Sequence, residues 1–189
     1  MTNPAILLPS PLDLTFAQTR HLLIELAMKY HRVAVVGVPG AGKTRLCKSA
    51  MSYQPPPKDL GRGVVEIAAP LAQRVHLFHT DLVVEGTPWE TQQEQVRVLV
   101  ENVVVPSIFE GVTVARCLRH AAWFDAVVVL CNGPMEKQEP GAQRLGKQVA
   151  TWVKQAYHQD NVYTWFPVNM SRQVEKETEA ATSEAAPTL

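Results

Sequence analysis

Residues 37–44 read Gly37-Val38-Pro39-Gly40-Ala41-Gly42-Lys43-Thr44 and match G-x-x-x-x-G-K-[ST] at every fixed position. The flanks complete the pattern. Val33-Ala34-Val35-Val36 is a β-branched run suited to a buried strand, and Thr44-Arg45-Leu46-Cys47-Lys48-Ser49-Ala50-Met51 continues as a helix. Strand, glycine loop and helix N-terminus are the parts a phosphate-binding loop needs. The glycines let the backbone curl so that successive N–H groups face phosphate oxygens. In this reading Val38, Pro39, Gly40, Ala41, Gly42, Lys43, Thr44 and Arg45 form the cradle. Lys43 reaches the β- and γ-phosphates, and the Thr44 hydroxyl ligates Mg²⁺. A plain glycine turn with a chance lysine is the competing reading, and it leaves both flanks unexplained. The pattern predicts a nucleoside triphosphate site.

A chain of 189 residues, 46% hydrophobic, suffices for one domain with a real core. Eighteen basic and eighteen acidic residues cancel, so no global field draws it to nucleic acid or membrane, although a local basic groove is compatible with that balance. Cys47, Cys117 and Cys131 are widely spaced within apolar segments, which points to a reducing compartment and excludes a disulfide frame or zinc site. No apolar stretch approaches the ~20 residues that span a bilayer, and the N-terminus lacks a basic segment followed by an apolar one. A cytoplasmic protein with no membrane partner is expected.

The chain alternates strands and helices. Residues 1–13 hold three prolines and read as an irregular leader; 14–169 form the domain; 170–189 are poor in large apolar residues and read as a disordered tail. Helices are predicted over about 16–30, with Thr15 as N-cap, and then from the loop to Tyr53, where Pro55-Pro56-Pro57 stops the chain. Gln54 to Gly63 reads as a surface loop and Val64–Ile67 as a short edge strand. A core strand over 75–79 follows. Thr87-Pro88-Trp89-Glu90 reads as a capping box opening a helix to Asn102. A strand over 103–109, disturbed by Pro106, a helix over 112–122 and a strand over 126–131 come next. A short lid is expected at about 132–147, partly in a proline-containing loop that can move and partly in a helix over 142–157. A last strand covers 162–166. This order predicts a three-layer α/β/α sandwich with a mostly parallel sheet. Ligands in such sheets collect beyond the strands' carboxyl ends, so the glycine loop, Asp81, Glu110 and Asn132 should share one cleft.

Several side chains there can do chemistry. Asp81 reads either as a turn former or helix cap, or as a carboxylate that orients an attacking hydroxyl and accepts its proton, with His79 and Thr80 flanking it and able to hydrogen-bond it or a substrate. Glu110 ends an apolar run and reads either as a carboxylate holding Mg²⁺ through water or as a salt-bridge partner of Arg116. Arg116 and Arg119 share a helical face, suited to phosphate or to plain solvation. Lys137, Arg144 and Lys147 lie in the lid, where closure would bring cations onto a transferring phosphoryl group; Arg144 is preferred. Trp89 can stack on a base or serve as an ordinary edge aromatic. The six histidines show no ligand spacing, so no structural metal is expected, and no Ser–His–Asp or Cys–His set is visible.

The glycine loop near the N-terminus, His79-Thr80-Asp81, the strand end Ile108-Phe109-Glu110-Gly111, the arginine-bearing helix and the short basic lid together resemble the small P-loop kinases. That group includes nucleoside and nucleotide kinases, polynucleotide-kinase-like and zeta-toxin-like enzymes. The resemblance covers about 31–168 and implies ATP–Mg²⁺ as donor, an aspartate base at Asp81 and a lid arginine at Arg144. Glu110-Gly111-Val112-Thr113-Val114-Ala115-Arg116 is also similar to phage P-loop kinases proposed to phosphorylate hydroxymethyluracil in DNA, which implies a DNA-modifying enzyme of the host cytoplasm. The expected activity is phosphate transfer to a hydroxyl of a nucleoside, nucleotide or nucleic acid. A P-loop ATPase or nucleotide-dependent switch acting on a protein partner is the alternative, although Asn132-Gly133-Pro134-Met135 does not supply the Asn-Lys-x-Asp of common GTPases.

Overall fold

The valine run ahead of the glycine loop lies at the centre of a six-stranded, all-parallel sheet. The computed structural model describes residues 10–54, 58–59, 65–66, 70–119, 123–132, 139–159 and 163–171. In chain order the elements are β1 (Leu12–Thr15), α1 (Phe16–Lys29), β2 (Arg32–Gly37), α2 (Lys43–Met51), β3 (Lys58–Asp59), β4 (Val65–Glu66), β5 (His76–His79), α3 (Thr80–Val83), α4 (Gln92–Asn102), β6 (Ser107–Glu110), α5 (Val112–Cys117), β7 (Ala126–Leu130), α6 (Pro140–Tyr157) and β8 (Thr164–Ser171). The sheet order is β1-β8-β7-β2-β6-β5, and β3 pairs with β4 in a separate antiparallel hairpin. Helices α1 and α2 pack on each other, and α5 packs against both α4 and α6, an arrangement compatible with a three-layer α/β fold.

Central strands of a parallel sheet are covered on both faces, so they read as unbroken apolar runs. Val33, Ala34, Val35 and Val36 of β2 and all five residues of β7 are fully buried. Each such valine or leucine contributes roughly 1.5–3 kcal/mol of burial. Phe109 on β6 stacks on Phe78 of β5 at 5.2 Å and meets Phe124 edge-on at 5.6 Å. Cys47, Cys117 and Cys131 are all buried free thiols. Burial pushes Cys117 up to about 12 and Cys131 up to about 11. No described helix is long and apolar enough to cross a membrane.

The structure departs from the sequence expectations at several boundaries. The leader expected over 1–13 ends early, because Leu12-Asp13-Leu14-Thr15 alternates apolar and polar and lies parallel to the end of β8, with Asn169 Nδ2 donating to Asp13 at 3.0 Å. Residues 1–9 lie outside the described residues. Thr15 caps α1 as expected, accepting from the Gln18 N–H at 3.2 Å while its own N–H donates to Gln18 Oε1 at 2.9 Å. The tail does not begin at Met170: Met170 and Ser171 finish β8, and 172–189 lie outside the described residues. Part of the expected surface loop, Lys58–Asp59, is a strand of the hairpin with Val65–Glu66.

The capping box at Thr87 does not form. Helix α4 starts at Gln92, Thr87 Oγ1 donates to Gln95 Oε1 at 3.0 Å, and the Thr91 N–H closes a turn on the Pro88 carbonyl at 3.0 Å. The Trp89 indole lies against Arg116, a tertiary contact that the local cap signal does not contain. Val103–Val105 are not strand; β6 begins at Ser107, immediately after Pro106, whose carbonyl accepts from the His76 N–H at 2.9 Å. Helix α5 ends at Cys117 rather than 122, and 120–122 lie outside the described residues. Of the expected lid, 133–138 lie outside the described residues and 140–147 belong to α6, which opens with Pro140 in its first turn.

Candidate functional site

Because every strand of the sheet runs the same way, Gly37, His79, Glu110 and Leu130 emerge on one edge. Chain order reverses around β2: α2 leads from it towards β5 and β6, and α5 crosses back to β7 on its other side. Crevices at such switch points are where open α/β sheets take ligands.

The loop between β2 and α2 needs its glycines. Gly40 and Gly42 have φ of 75° and 93°, in the left-handed region that side chains avoid. A Cβ on Gly37 would stand 3.0 Å from the Leu130 carbonyl, so the loop leaves the sheet in close backbone contact with β7. Gly42 is also approached by the Met170 methyl, which would stand 3.3 Å from a Cβ there. Asn132 fixes that methionine, its amide donating to the Met170 carbonyl and accepting from the Met170 N–H, both at 3.0 Å. Asn132 thus extends the sheet ladder at the mouth of the loop.

Lys43 is only 8% exposed. Its ammonium donates to the carbonyls of Gly37 at 3.0 Å and Val38 at 3.3 Å, so the cation sits inside the loop. Burial lowers its affinity for the proton below the ordinary lysine value, and the carboxylates of Glu110 and Asp81 pull it back up. Thr44, exposed at the head of α2, donates from Oγ1 to Glu110 Oε1 at 3.0 Å. The same oxygen meets His79 Nδ1 at 2.5 Å, and Thr80 Oγ1 donates to the Glu110 carbonyl at 3.0 Å. Glu110 pairs with His79 and Thr44, so the salt bridge to Arg116 is not formed among the described residues. A hydroxyl and a carboxylate oxygen 3.0 Å apart at a helix N-terminus form an oxygen donor set suited to Mg²⁺. Among the described residues no three or more His, Cys, Asp and Glu are grouped to hold a metal ion.

Asp81 lies across the crevice. Its Oδ2 accepts from the Val112 N–H at 2.9 Å, and its Oδ1 accepts from the Thr113 N–H and hydroxyl, both at 3.1 Å. It caps α5 from another part of the chain, because the residue before that helix is Gly111, which has no side chain to do so. Gly111 has φ 141°, and a Cβ there would stand 2.5 Å from Thr80 Oγ1 and 2.7 Å from Asp81 Oδ1. The helix-cap reading of Asp81 is therefore realised geometrically. One lone-pair position on Oδ2 remains after the three bonds.

The remaining residues lie further out. Arg116 donates to the Trp89 carbonyl and lies over the Trp89 ring at 4.4 Å. Arg119 lies over Trp152 at 5.6 Å, and the two indoles are 6.1 Å apart. These four side chains form one partly exposed stack along α5 and α6, with Trp89 41% exposed. Leu82, next to Asp81, is 67% exposed. Arg45 turns away from the loop to lie over Phe16 at 4.8 Å. Arg144 is exposed in the early turns of α6 and has no hydrogen-bond or ion-pair partner among the described residues; Lys137 lies outside them. Trp152, Thr113, Gly111 and Met170 were not candidates on sequence grounds. For Thr113 and Gly111 the signal is a helix opening after a glycine, which needs a cap from elsewhere; Trp152 and Met170 carry no local signal.

No protein-family model, curated protein or solved structure matches the chain, so its own geometry carries the functional reading.

Proposed function

We propose that the protein is a P-loop phosphotransferase, with a three-layer α/β/α sandwich of the small-kinase type, that moves the γ-phosphate of ATP to a hydroxyl of a nucleoside, nucleotide or nucleic acid. The observation that carries this reading is the Thr44–Glu110 contact of 3.0 Å at the mouth of a glycine loop that holds the Lys43 ammonium within it. Thr44 and Glu110 would hold Mg²⁺, which would supply positive charge against the charge that develops on the phosphoryl oxygens.

The chain's own groups divide the remaining work. The loop N–H groups and the start of α2 bind phosphate oxygens, and Lys43 exchanges its two carbonyl partners for them. Asp81 is fixed by three donors from α5 and keeps one acceptor position, through which it orients a hydroxyl in line with the phosphorus. Arg144, exposed and unpaired among the described residues, supplies a cation to the transferring phosphoryl group. Trp89, Arg116 and Arg119 serve the acceptor, offering an aromatic surface and guanidiniums that bind phosphate. The cytoplasm and its reducing conditions fit the three buried thiols.

Transfer from γ-labelled ATP to a panel of nucleosides, nucleotides, RNA, plain DNA and hydroxymethyl-modified DNA tests the reading. Label in any acceptor supports it and names the substrate. Hydrolysis to phosphate with no labelled acceptor would favour an ATPase or a nucleotide-dependent switch instead.

A further inference from the structure

We propose that His79 gives the cation site beside the glycine loop a nitrogen donor, and that the site accordingly prefers Mn²⁺ or Co²⁺ to Mg²⁺. The inference rests on the phosphotransferase reading above. It starts from strand register: His79 and Glu110 are the last residues of β5 and β6 and are paired partners across the two parallel strands, so their side chains leave the sheet together. Thr44 reaches the same point from the head of α2. The three side chains converge on one atom, Glu110 Oε1, which lies 2.5 Å from His79 Nδ1 and 3.0 Å from Thr44 Oγ1.

Adjacent ligands of an octahedral cation with bonds of about 2.1 Å stand roughly 3 Å apart. The Thr44 contact to Oε1 has that spacing and the His79 contact is shorter, so a cation that takes the three donors must move the imidazole outward from Oε1. To do so His79 must present a lone pair at Nδ1 and carry its proton on Nε2. At 2.5 Å from a carboxylate oxygen Nδ1 is the hydrogen-bond donor, so cation binding must shift that proton to Nε2, which has no hydrogen-bond partner among the described residues. Oxygen donors suit Mg²⁺, whereas an imidazole binds first-row transition cations, Mn²⁺ weakly and Co²⁺ more strongly, in preference to Mg²⁺. The site offers one carboxylate, one hydroxyl and one imidazole, short of a self-sufficient protein site, so nucleotide phosphate oxygens must complete it. Tight cation binding should therefore appear only with nucleotide present.

A hydrogen bond that merely orients Glu110 is the competing role for His79, and His79→Gln separates the two, because glutamine keeps a donor for the carboxylate but is a poor ligand. The probe is Mn²⁺ with a non-hydrolysable ATP analogue bound to the full chain. Pulsed electron paramagnetic resonance should detect an imidazole nitrogen on the manganese of the wild type, absent in His79→Gln and in His79→Ala. Competition against Mg²⁺ should show the Mn²⁺ preference falling on the order of tenfold in both variants. Analogue binding is followed separately by equilibrium dialysis, and folding by circular dichroism. Wild-type protein that binds the analogue yet shows no nitrogen coupling overturns the proposal alone, as does an unchanged preference in His79→Gln. Failure of the wild type to bind the analogue at all overturns the phosphotransferase reading with it.

Discussion

Replacing Gly111 with Ala tests the geometry that joins the two carboxylates. At φ 141° the backbone occupies a region essentially reserved for glycine, which costs a side chain about 1–3 kcal/mol. The new methyl would also overlap Thr80 Oγ1 at 2.5 Å and Asp81 Oδ1 at 2.7 Å. Thr80 is fully buried and bonded to the Glu110 carbonyl, and Asp81 carries three bonds to α5, so neither can move without losing partners. Overpacking of this kind costs about 1–3 kcal/mol, and the sum is about 2–6 kcal/mol. For a domain of this size that corresponds to a fall in Tm of roughly 4–24 °C. Two other glycines serve as controls. Gly86 has φ 77° with nothing within 4 Å of a Cβ, so Gly86→Ala should cost only about 1–2 kcal/mol of backbone strain. Gly141 lies in α6 in open space, and Gly141→Ala should stabilise by up to about 1 kcal/mol. Urea unfolding of the three variants, read by tryptophan fluorescence, gives the order directly. A Gly111→Ala loss no larger than that of Gly86→Ala would refute the contact between Gly111, Thr80 and Asp81.

Because burial depresses the Lys43 proton affinity, the unfolded chain binds that proton more readily than the native one, and the cost is fully present below the native pKa and fades as pH rises to the ordinary lysine value. Wild-type stability should rise relative to Lys43→Met as pH climbs towards the ordinary lysine range; a difference constant over paired urea curves from pH 7 to 10 would contradict this. Asp81→Asn should reduce transfer to the acceptor while ATP affinity is nearly unchanged, whereas Glu110→Gln should raise the Mg²⁺ requirement, and identical Mg²⁺ dependence in both variants would break the assignment of roles. If a single-stranded acceptor engages Arg116 and Arg119, log affinity should fall against log salt with a slope of about −1.4, near −0.7 for each phosphate. A mononucleotide acceptor gives a shallower slope.

The alternation of strands and helices is legible because central parallel strands are continuous apolar runs and because Gly and Pro punctuate them. Val33–Val36 and Ala126–Leu130 announce themselves in this way. The edge strand β1 does not: it has four residues, two of them polar, and gains its place only through β8, its neighbour in the sheet but 156 residues distant at the Asp13–Asn169 contact. The start of α4 is misread for a related reason, since Thr87 and Glu90 satisfy a local rule that the Trp89–Arg116–Trp152 stack overrides. Within the candidate site, spacing alone marks Lys43, Thr44, Asp81 and Glu110 as strand-end or loop residues. The pairing of His79 with Glu110 depends on strand order, which no window of sequence contains. The Asp81 contacts with Val112 and Thr113 likewise span about 30 residues and appear only once α3 and α5 are side by side.

Transfer of labelled γ-phosphate by wild type and Lys43→Ala, measured side by side under single-turnover conditions with the same acceptor, tests the central claim most directly. Removing the buried ammonium takes a cation away from the charge that develops on the phosphoryl oxygens, while the fold, carried by β2, β6 and β7, should persist by circular dichroism. The account predicts that transfer falls by orders of magnitude in a folded variant. Near-wild-type transfer by folded Lys43→Ala would contradict it.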